Sequence, residues 1–290
     1  MPFTDRTRSR SGSPDGGPPG GESGAVSPMR PRPAAAWFPG TPAGPYDVLP
    51  LISFPYAGGT PSAFHDWPQH LGERVRVVPV LLPGRGLRLR EEPYTVLEPL
   101  ARDVARALLD HGLTTGGYAF FGHSMGALLA YEVACELRRR GEPEPLHLFV
   151  SGSRAPHLYG DRADHALDDD ELRAVVRDLG GLGPDENVGR AYLDRRLPAL
   201  RADLRACELY RWQPRTPLTT PVTAVSATDD PVATEVQVDA WKITTAGPFA
   251  RLHLPGNHFF LNGPSRYRLL RELRRTCDHL RPQTSQRNAS

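Results

Sequence analysis

The chain has 290 residues, of which 39% are hydrophobic, and its 35 basic and 33 acidic side chains leave a formal net charge of +2. This length can bury one large core, and the near balance of charge gives no electrostatic reason to expect nucleic-acid binding. The sequence contains no apolar run of membrane-spanning length, and its N-terminus lacks the hydrophobic core of a signal peptide. These features exclude a membrane-spanning protein and predict one that works in the cytoplasm.

The three cysteines support this compartment. Cys135, Cys207 and Cys277 lie far apart in the chain, without the spacing of metal ligands and without the even number of a disulfide framework. We expect buried thiols in a reducing environment, no metal site and no cofactor.

The two ends of the chain differ in composition from the rest. Residues 1–46 are rich in Pro, Gly, Ser and Arg and contain too few large apolar side chains to offset the entropy of ordering. We expect a disordered N-terminal extension over 1–46, a folded domain over 47–281 and a disordered tail over 282–290.

The middle of the chain alternates predicted strands with helices. Strands are predicted at 47–54, 76–82, 119–121, 146–151, 221–227 and 249–254, and helices at 97–109, 127–140 and 265–280. Strands separated by helices favour a parallel sheet over a sandwich or a barrel. The predicted fold class is therefore α/β, with a mostly parallel central sheet flanked by helices.

The strand pattern is interrupted between about residues 155 and 217. Asp168 is the first of three acidic residues that favour the start of a helix, and 192–212 has the pattern of one or two more helices. A helical stretch between two core strands predicts a lid over the ends of the strands. The alternative is ordinary crossover packing.

The first chemical motif is a Gly-x-Ser-x-Gly turn at Gly122, Ser124 and Gly126, between the strand 119–121 and a long helix. A serine hydroxyl becomes a good nucleophile when a strained strand-to-helix turn exposes it beside a base and oxyanion donors. A side chain at either glycine would crowd this turn. Ser124 is therefore the candidate nucleophile.

An oxyanion needs two backbone N–H donors. The helix after Ser124 offers the amide of Met125, and the glycine-rich loop PYAGGT at 55–60 offers that of Ala57. The alternative is that this loop is only a turn that ends a strand.

Later strands carry the remaining candidates. Asp229 and Asp230 follow the strand 221–227, and His258 follows the last strand. Ser, then Asp, then His is the chain order of an α/β-hydrolase triad, in which the imidazole moves the proton and the carboxylate orients it. Either aspartate could instead cap the helix that follows. His123 beside the serine is expected to be a packed or hydrogen-bonded residue on the opposite side of the turn.

Several motifs together resemble a known family. They are FPYAGGT (54–60), LPGRGLR (82–88), GHSMG (122–126), LPALRAD (197–203), DDP (229–231), Trp241 and PGNHFFL (255–261). In this order they are similar to those of the type II thioesterases, the discrete editing enzymes that accompany polyketide synthases and nonribosomal peptide synthetases. The resemblance spans about 47–280. Asn257 stands where the family usually has a second glycine, Ser226-Ala227 stand where a glycine is common, and the N-terminal extension lies outside the pattern.

The resemblance implies an α/β-hydrolase fold with a helical lid and, residue by residue, the roles of the site. It implies Ser124 as nucleophile, His258 as general base and Asp230 as the acid of the triad, with oxyanion amides at Ala57 and Met125. The implied reaction releases stalled or misloaded acyl groups from the phosphopantetheine arm of an acyl or peptidyl carrier protein, without a cofactor. It also implies a monomer.

The residues are also consistent with other functions. The same triad would serve a small-molecule esterase or an acyltransferase, and a non-catalytic partner of the synthase is a third hypothesis. Because carrier proteins are generally acidic, Arg85, Arg88 or Arg90 could form a basic docking patch. The helix-end residues 138–140 could contribute, although stabilisation of a helix C-terminus explains them better.

Overall fold

Six short apolar segments form one sheet: β1 (Leu49–Phe54), β2 (Val75–Pro79), β3 (Ala119–His123), β4 (His147–Ser151), β5 (Val222–Ala227) and β6 (Phe249–Leu254). The strand order is β2-β1-β3-β4-β5-β6, and every neighbouring pair is parallel. All residues of the four inner strands are buried, whereas the edge strands β2 and β6 are partly exposed. Burial on both faces explains why the inner strands are continuous apolar runs. The predicted parallel α/β sheet is confirmed.

The structure is a computed structural model that describes residues 36–40, 48–181, 191 and 193–280. These residues all belong to one compact unit that covers 33–290. The predicted tail at 282–290 and most of the predicted extension at 1–46 lie outside the described residues. None of the helices in the described ranges is long and apolar enough to cross a membrane.

Helices surround the sheet: α1 (Pro68–Leu71), α2 (Leu97–Asp110), α3 (Met125–Arg139), α4 (Asp169–Asp178), α5 (Leu197–Glu208), α6 (Glu235–Asp239) and α7 (Arg266–His279). Alternate residues of a strand point to opposite faces. Ile52 of β1 accordingly joins a core with α2 and α3, whereas Leu51 joins a second core with α1 and α7. The sheet is thus the middle layer of three.

The segment between β4 and β5 carries α4 and α5. The side chain of Asp168 accepts hydrogen bonds from the amides of Asp170 and Glu171, both at 2.9 Å, and so begins α4 with a capping box. Leu172 of α4 packs with Leu200 of α5 in an apolar cluster separate from the two main cores. Tyr192, which the prediction included in a helix, lies outside the described residues.

The folded part begins earlier than predicted. Trp37 and Phe38, placed by the prediction in the disordered extension, are 3% and 2% exposed and belong to the core around α2 and α3. The carbonyl oxygen of Trp37 accepts a hydrogen bond of 2.8 Å from the amide of Leu81. The strand β2 ends at Pro79 and not at Leu82 as predicted.

The turn between β3 and α3 is strained. Ser124 has φ of 55° and ψ of −123°, the one positive φ of a non-glycine residue within the described ranges. A Cβ added at Gly122 would lie 2.2 Å from the carbonyl oxygen of Gly126, and one added at Gly126 would lie 2.2 Å from that of Phe54. The predicted steric need for both glycines is confirmed, because the first turn of α3 touches the ends of β1 and β3.

We predict that Gly126→Ala lowers the free energy of unfolding by about 1 to 3 kcal/mol, because the new methyl group meets backbone that cannot move aside. Gly263→Ala is the matched control, since a Cβ there would have its nearest neighbour at 3.8 Å and Gly263 has a negative φ of −98°. Urea denaturation of both variants measures the difference. Equal midpoints for the two variants would contradict the tight contact between α3 and β1.

Candidate active site

Two of the predicted residues meet at the carboxyl edge of the sheet. Asp230 follows β5 and His258 follows β6, and the carboxyl ends of parallel strands lie at one edge. The Nδ1 atom of His258 lies 2.9 Å from Oδ2 of Asp230, and the two residues are 3% and 5% exposed. A carboxylate at Nδ1 favours the tautomer with its proton on that nitrogen, which leaves Nε2 free to accept a proton.

The neighbouring aspartates have different surroundings. Oδ1 of Asp230 accepts hydrogen bonds from the amides of Val232 at 2.8 Å and Ala233 at 3.2 Å, in the turn that leads to α6. Asp229 is exposed, and its carboxylate accepts a bond from the hydroxyl of Thr228 at 2.9 Å. Asp230 therefore closes the turn and contacts His258 at the same time, two roles that the sequence presented as alternatives.

Ser124 opens into the same cavity as His258. The cavity has a volume of about 140 Å³, and Ala57 and Met125 also line it. Ser124 is held at the turn by its amide, which donates to the carbonyl oxygen of Ser151 at 2.8 Å. The predicted serine, histidine and oxyanion residues thus surround one cavity, and the predicted aspartate lies behind the histidine.

Two residues that line the cavity have backbone amides suited to bind an anion. Met125 is the first residue of α3, so its amide has no acceptor within the helix and lies at the positive end of the helix dipole. Ala57 follows β1, and its amide finds no hydrogen-bond partner within the part of the chain that the structure describes. Both groups are available to an oxygen that becomes negatively charged in the cavity.

The walls of the cavity come largely from the segment between β4 and β5. Apolar side chains of α4 and α5 line it: Leu172, Val175, Val176, Leu200, Leu204 and Cys207. Cys207, like the other two cysteines, is a free and buried thiol, and burial raises its pKa well above the usual value. The predicted helical lid therefore forms one wall of the cavity, with an apolar inner surface.

A buried carboxylate ties the loop before α4 to α5. Glu208, which is 4% exposed, accepts hydrogen bonds from the amides of Asp164 and His165, both at 3.0 Å. Arg201, about two turns earlier on α5, donates to the carbonyl oxygen of His165 at 2.7 Å. The cavity wall near Glu208 is thus polar and is held in place by these hydrogen bonds, in contrast to the apolar wall formed by α4. Helical periodicity did not predict this network.

His123 is buried, as expected, and Nδ1 of its ring lies 3.0 Å from the hydroxyl of Ser151. It is not separated from the site, because its ring centroid lies 5.1 Å from that of His258. Burial, with the nearby His258, holds the pKa of His123 well below its usual value. The side chain therefore stays neutral and places no positive charge beside a protonated His258.

Asn257 precedes His258 without binding it. Its side-chain oxygen accepts a hydrogen bond of 3.0 Å from the amide of Phe259, and its main-chain oxygen accepts one of 3.1 Å from Phe260. Asn257 therefore stabilises the loop that follows the histidine.

The predicted docking patch is wrong for two of its three arginines. Arg85 and Arg88 are 1% and 2% exposed, and each forms an ion pair, with Asp203 and Glu91 respectively. Arg90 is exposed. The local sequence suggests an exposed basic loop, but the guanidinium groups of Arg85 and Arg88 are buried and bind carboxylates.

The helix-end arginines are engaged as well. Arg139 and Arg140 pair with Glu136, one turn earlier on α3. Arg138 donates to the carbonyl oxygens of Thr216 and Pro217 at 2.7 and 2.8 Å. These contacts agree with a structural role at the end of α3.

The sequence profile of the thioesterase domain family matches residues 49–280. Among solved structures, RedJ, a thioesterase from the prodiginine biosynthetic pathway in Streptomyces coelicolor, is 64% identical, with a TM-score of 0.76 over 83% of this chain and 92% of RedJ. BorB, the type II thioesterase from the borrelidin biosynthetic cluster, is 34% identical, with a TM-score of 0.76 over 83% of this chain and 98% of BorB.

A further relative has a name of another kind. LgrE of Brevibacillus parabrevis, named linear gramicidin dehydrogenase, is 41% identical over 216 residues, which cover 73% of this chain and 81% of LgrE. The family profile and both solved structures name thioesterases. With its six-stranded parallel sheet and flanking helices, the chain therefore belongs to the thioesterase domain family, with the α/β-hydrolase fold, and it is a thioester hydrolase related to the type II thioesterases of polyketide and nonribosomal peptide pathways.

Proposed function

We propose that this thioesterase removes stalled or misloaded acyl groups from the phosphopantetheine arm of an acyl or peptidyl carrier protein, by way of an acyl-enzyme on Ser124. The observation that carries the mechanism is the buried contact of 2.9 Å between His258 Nδ1 and Asp230 Oδ2, beside the cavity that Ser124 lines. The carrier-bound substrate is supported by the relatives from polyketide and peptide pathways, such as BorB.

The first half-reaction forms the acyl-enzyme. Nε2 of His258 takes the hydroxyl proton of Ser124 while Oγ attacks the thioester carbonyl carbon, and the carbonyl oxygen becomes an oxyanion. The amides of Ala57 and Met125 donate to this oxyanion. When the carbon–sulfur bond breaks, the pantetheine sulfur leaves with the proton from His258, and the acyl group stays on Ser124.

The second half-reaction releases the acid. His258 removes a proton from water, the resulting oxygen attacks the acyl carbon, and the proton returns to Oγ of Ser124 as the ester bond breaks. In both halves the carboxylate of Asp230 holds the imidazole and stabilises its charged form. A neutral His123 supports this role of His258. The centroids of the two rings are 5.1 Å apart, and a positive charge on His123 would oppose the transfer of a proton to His258.

The lining of the cavity supports an aliphatic acyl group. Leu172, Val176 and Leu204 face the space beside Ser124. An apolar wall of this kind distinguishes chains by only about 1 to 3 kcal/mol per methylene group. Broad specificity with graded rates suits an enzyme that clears diverse misloaded groups.

We predict that wild-type enzyme removes acetyl, propionyl and longer acyl groups from a loaded carrier protein, whereas Ser124→Ala slows the release at least about 10⁴-fold. Intact-mass spectrometry of the carrier protein over time measures the loss of each acyl group. Release at the wild-type rate by the alanine variant would refute the serine mechanism. Activity on simple esters, with none on the loaded carrier, would favour the alternative of a small-molecule esterase or acyltransferase.

Adjacent aspartates provide a matched pair of variants. We predict that Asp230→Asn lowers kcat roughly 10⁴-fold, because an amide at Nδ1 favours the wrong tautomer of His258. Asp229→Asn makes the same replacement of a carboxylate oxygen by an amide nitrogen, but at an exposed side chain, and should leave kcat within about twofold of wild type. Steady-state kinetics on a small soluble thioester gives both values. A larger loss in Asp229→Asn than in Asp230→Asn would reverse the assignment.

A further inference from the structure

A buried ion pair joins α5 to the loop after β2. Both oxygens of Asp203 are bound by Arg85, whose two terminal nitrogens lie 2.5 Å from Oδ2 and 2.8 Å from Oδ1. The side chains are 1% and 2% exposed. Such a bidentate pair fixes orientation as well as distance. None of the catalytic roles described above uses it.

The same pair also holds the glycine-rich loop after β1. The amide of Gly58 donates to Oδ2 of Asp203 at 2.7 Å, and Arg85 donates to the carbonyl oxygen of Gly59 at 3.4 Å. Leu200, one turn before Asp203 on α5, packs against the same loop, since a Cβ on Gly58 would lie 3.2 Å from the Leu200 Cβ. Two separate segments, α5 and the loop after β2, therefore hold the loop at Gly58 and Gly59.

Gly58 is the residue after Ala57, the candidate oxyanion donor. The amide of Gly59 donates to the carbonyl oxygen of Tyr56 at 2.8 Å and closes a four-residue turn, in which Gly58 has φ of +71°. The Gly58 and Gly59 amides therefore both donate hydrogen bonds within the protein. The Ala57 amide has no partner within the described ranges, so it is the amide of this turn that can donate to an oxygen in the cavity.

We infer that Arg85 and Asp203 are positioning residues for the oxyanion hole: through Gly58 they set the direction of the Ala57 amide and link it to α5. The inference rests on the proposed role of Ala57. Asp203 supplies the acceptor that orients the loop, and Arg85 compensates a carboxylate whose charge would otherwise oppose an oxyanion on the other side of the turn.

A purely structural ion pair would behave differently. Replacing both members of a buried pair by apolar residues is often neutral for stability. The double variant Arg85→Met/Asp203→Leu therefore separates the two roles. It removes both charges together, so that neither is left unpaired, but it also removes the acceptor for the Gly58 amide.

The test measures kcat and KM on a small soluble thioester, with rates corrected for the folded fraction from urea unfolding. We expect the double variant to lose about 10- to 100-fold in kcat, with KM changed less than about threefold, because a misdirected donor weakens binding of the transition state only. Arg85→Lys, which keeps the charge but not the bidentate geometry, should lose about 10-fold in kcat. It tests the inference even if the double variant does not fold.

The control is another arginine–carboxylate pair. Glu132 and Arg215 lie 3.0 Å apart, and neither lines the cavity that contains Ser124. Glu132→Gln/Arg215→Met keeps an acceptor for the hydroxyl of Tyr210, which bonds Glu132 at 2.5 Å, and should keep kcat within about twofold of wild type. If kcat per folded molecule is unchanged in both Arg85 variants, the inference is overturned. Failure of the proposed mechanism is a separate result, namely a Ser124→Ala enzyme that still hydrolyses the thioester.

Discussion

The first turn of α3 lies against the end of β1 so closely that neither backbone could approach with a side chain between them. A Cβ at Gly126 would lie 2.2 Å from the carbonyl oxygen of Phe54. This contact brings the strained Ser124, the amide of Met125 and the loop that begins at Pro55 into one small volume. The rest of the site depends on it, because a base and an oxyanion hole can serve only a nucleophile whose place is fixed.

The parallel sheet positions the remaining residues of the site relative to Ser124. Since all six strands run the same way, the residues after β3, β5 and β6 emerge at one edge, although Ser124 and His258 are far apart in sequence. The helical segment between β4 and β5 closes the space above this edge. Its α5 helix also holds the loop at Gly58 through Asp203. The same helix therefore lines the cavity and fixes the loop that carries the candidate oxyanion donor.

Much of the fold and of the candidate site could be predicted from the sequence, because the signals are local or follow from the order of the strands. Continuous apolar runs indicated the inner strands, and the motif at 122–126 predicted the turn, because both signals are local. The chain order of Ser124, Asp230 and His258 predicted which residues meet at the sheet edge. Spacing alone did not separate Asp229 from Asp230, because the choice depends on which side chain is directed inward.

Interactions between segments that are distant in the chain are harder to predict from the sequence. The prediction placed Arg85 and Arg88 on a docking surface, whereas carboxylates draw both inside; in the case of Arg85 the partner, Asp203, stands 118 positions away. The Pro- and Gly-rich composition around Trp37 and Phe38 predicts a disordered extension, and composition does not reveal that these two aromatic side chains reach the core. Local patterns predicted elements, but not the buried charges that connect them.

In the proposed mechanism the strained Ser124 is the reactive group of the enzyme and His258 activates it. Labelling with a serine-directed fluorophosphonate, followed by peptide mapping, tests both roles. We expect one adduct per molecule, on the peptide that contains Ser124, and much slower labelling of His258→Ala at the same enzyme concentration. An adduct on another residue, or no adduct on a folded enzyme that hydrolyses thioesters, would refute the mechanism.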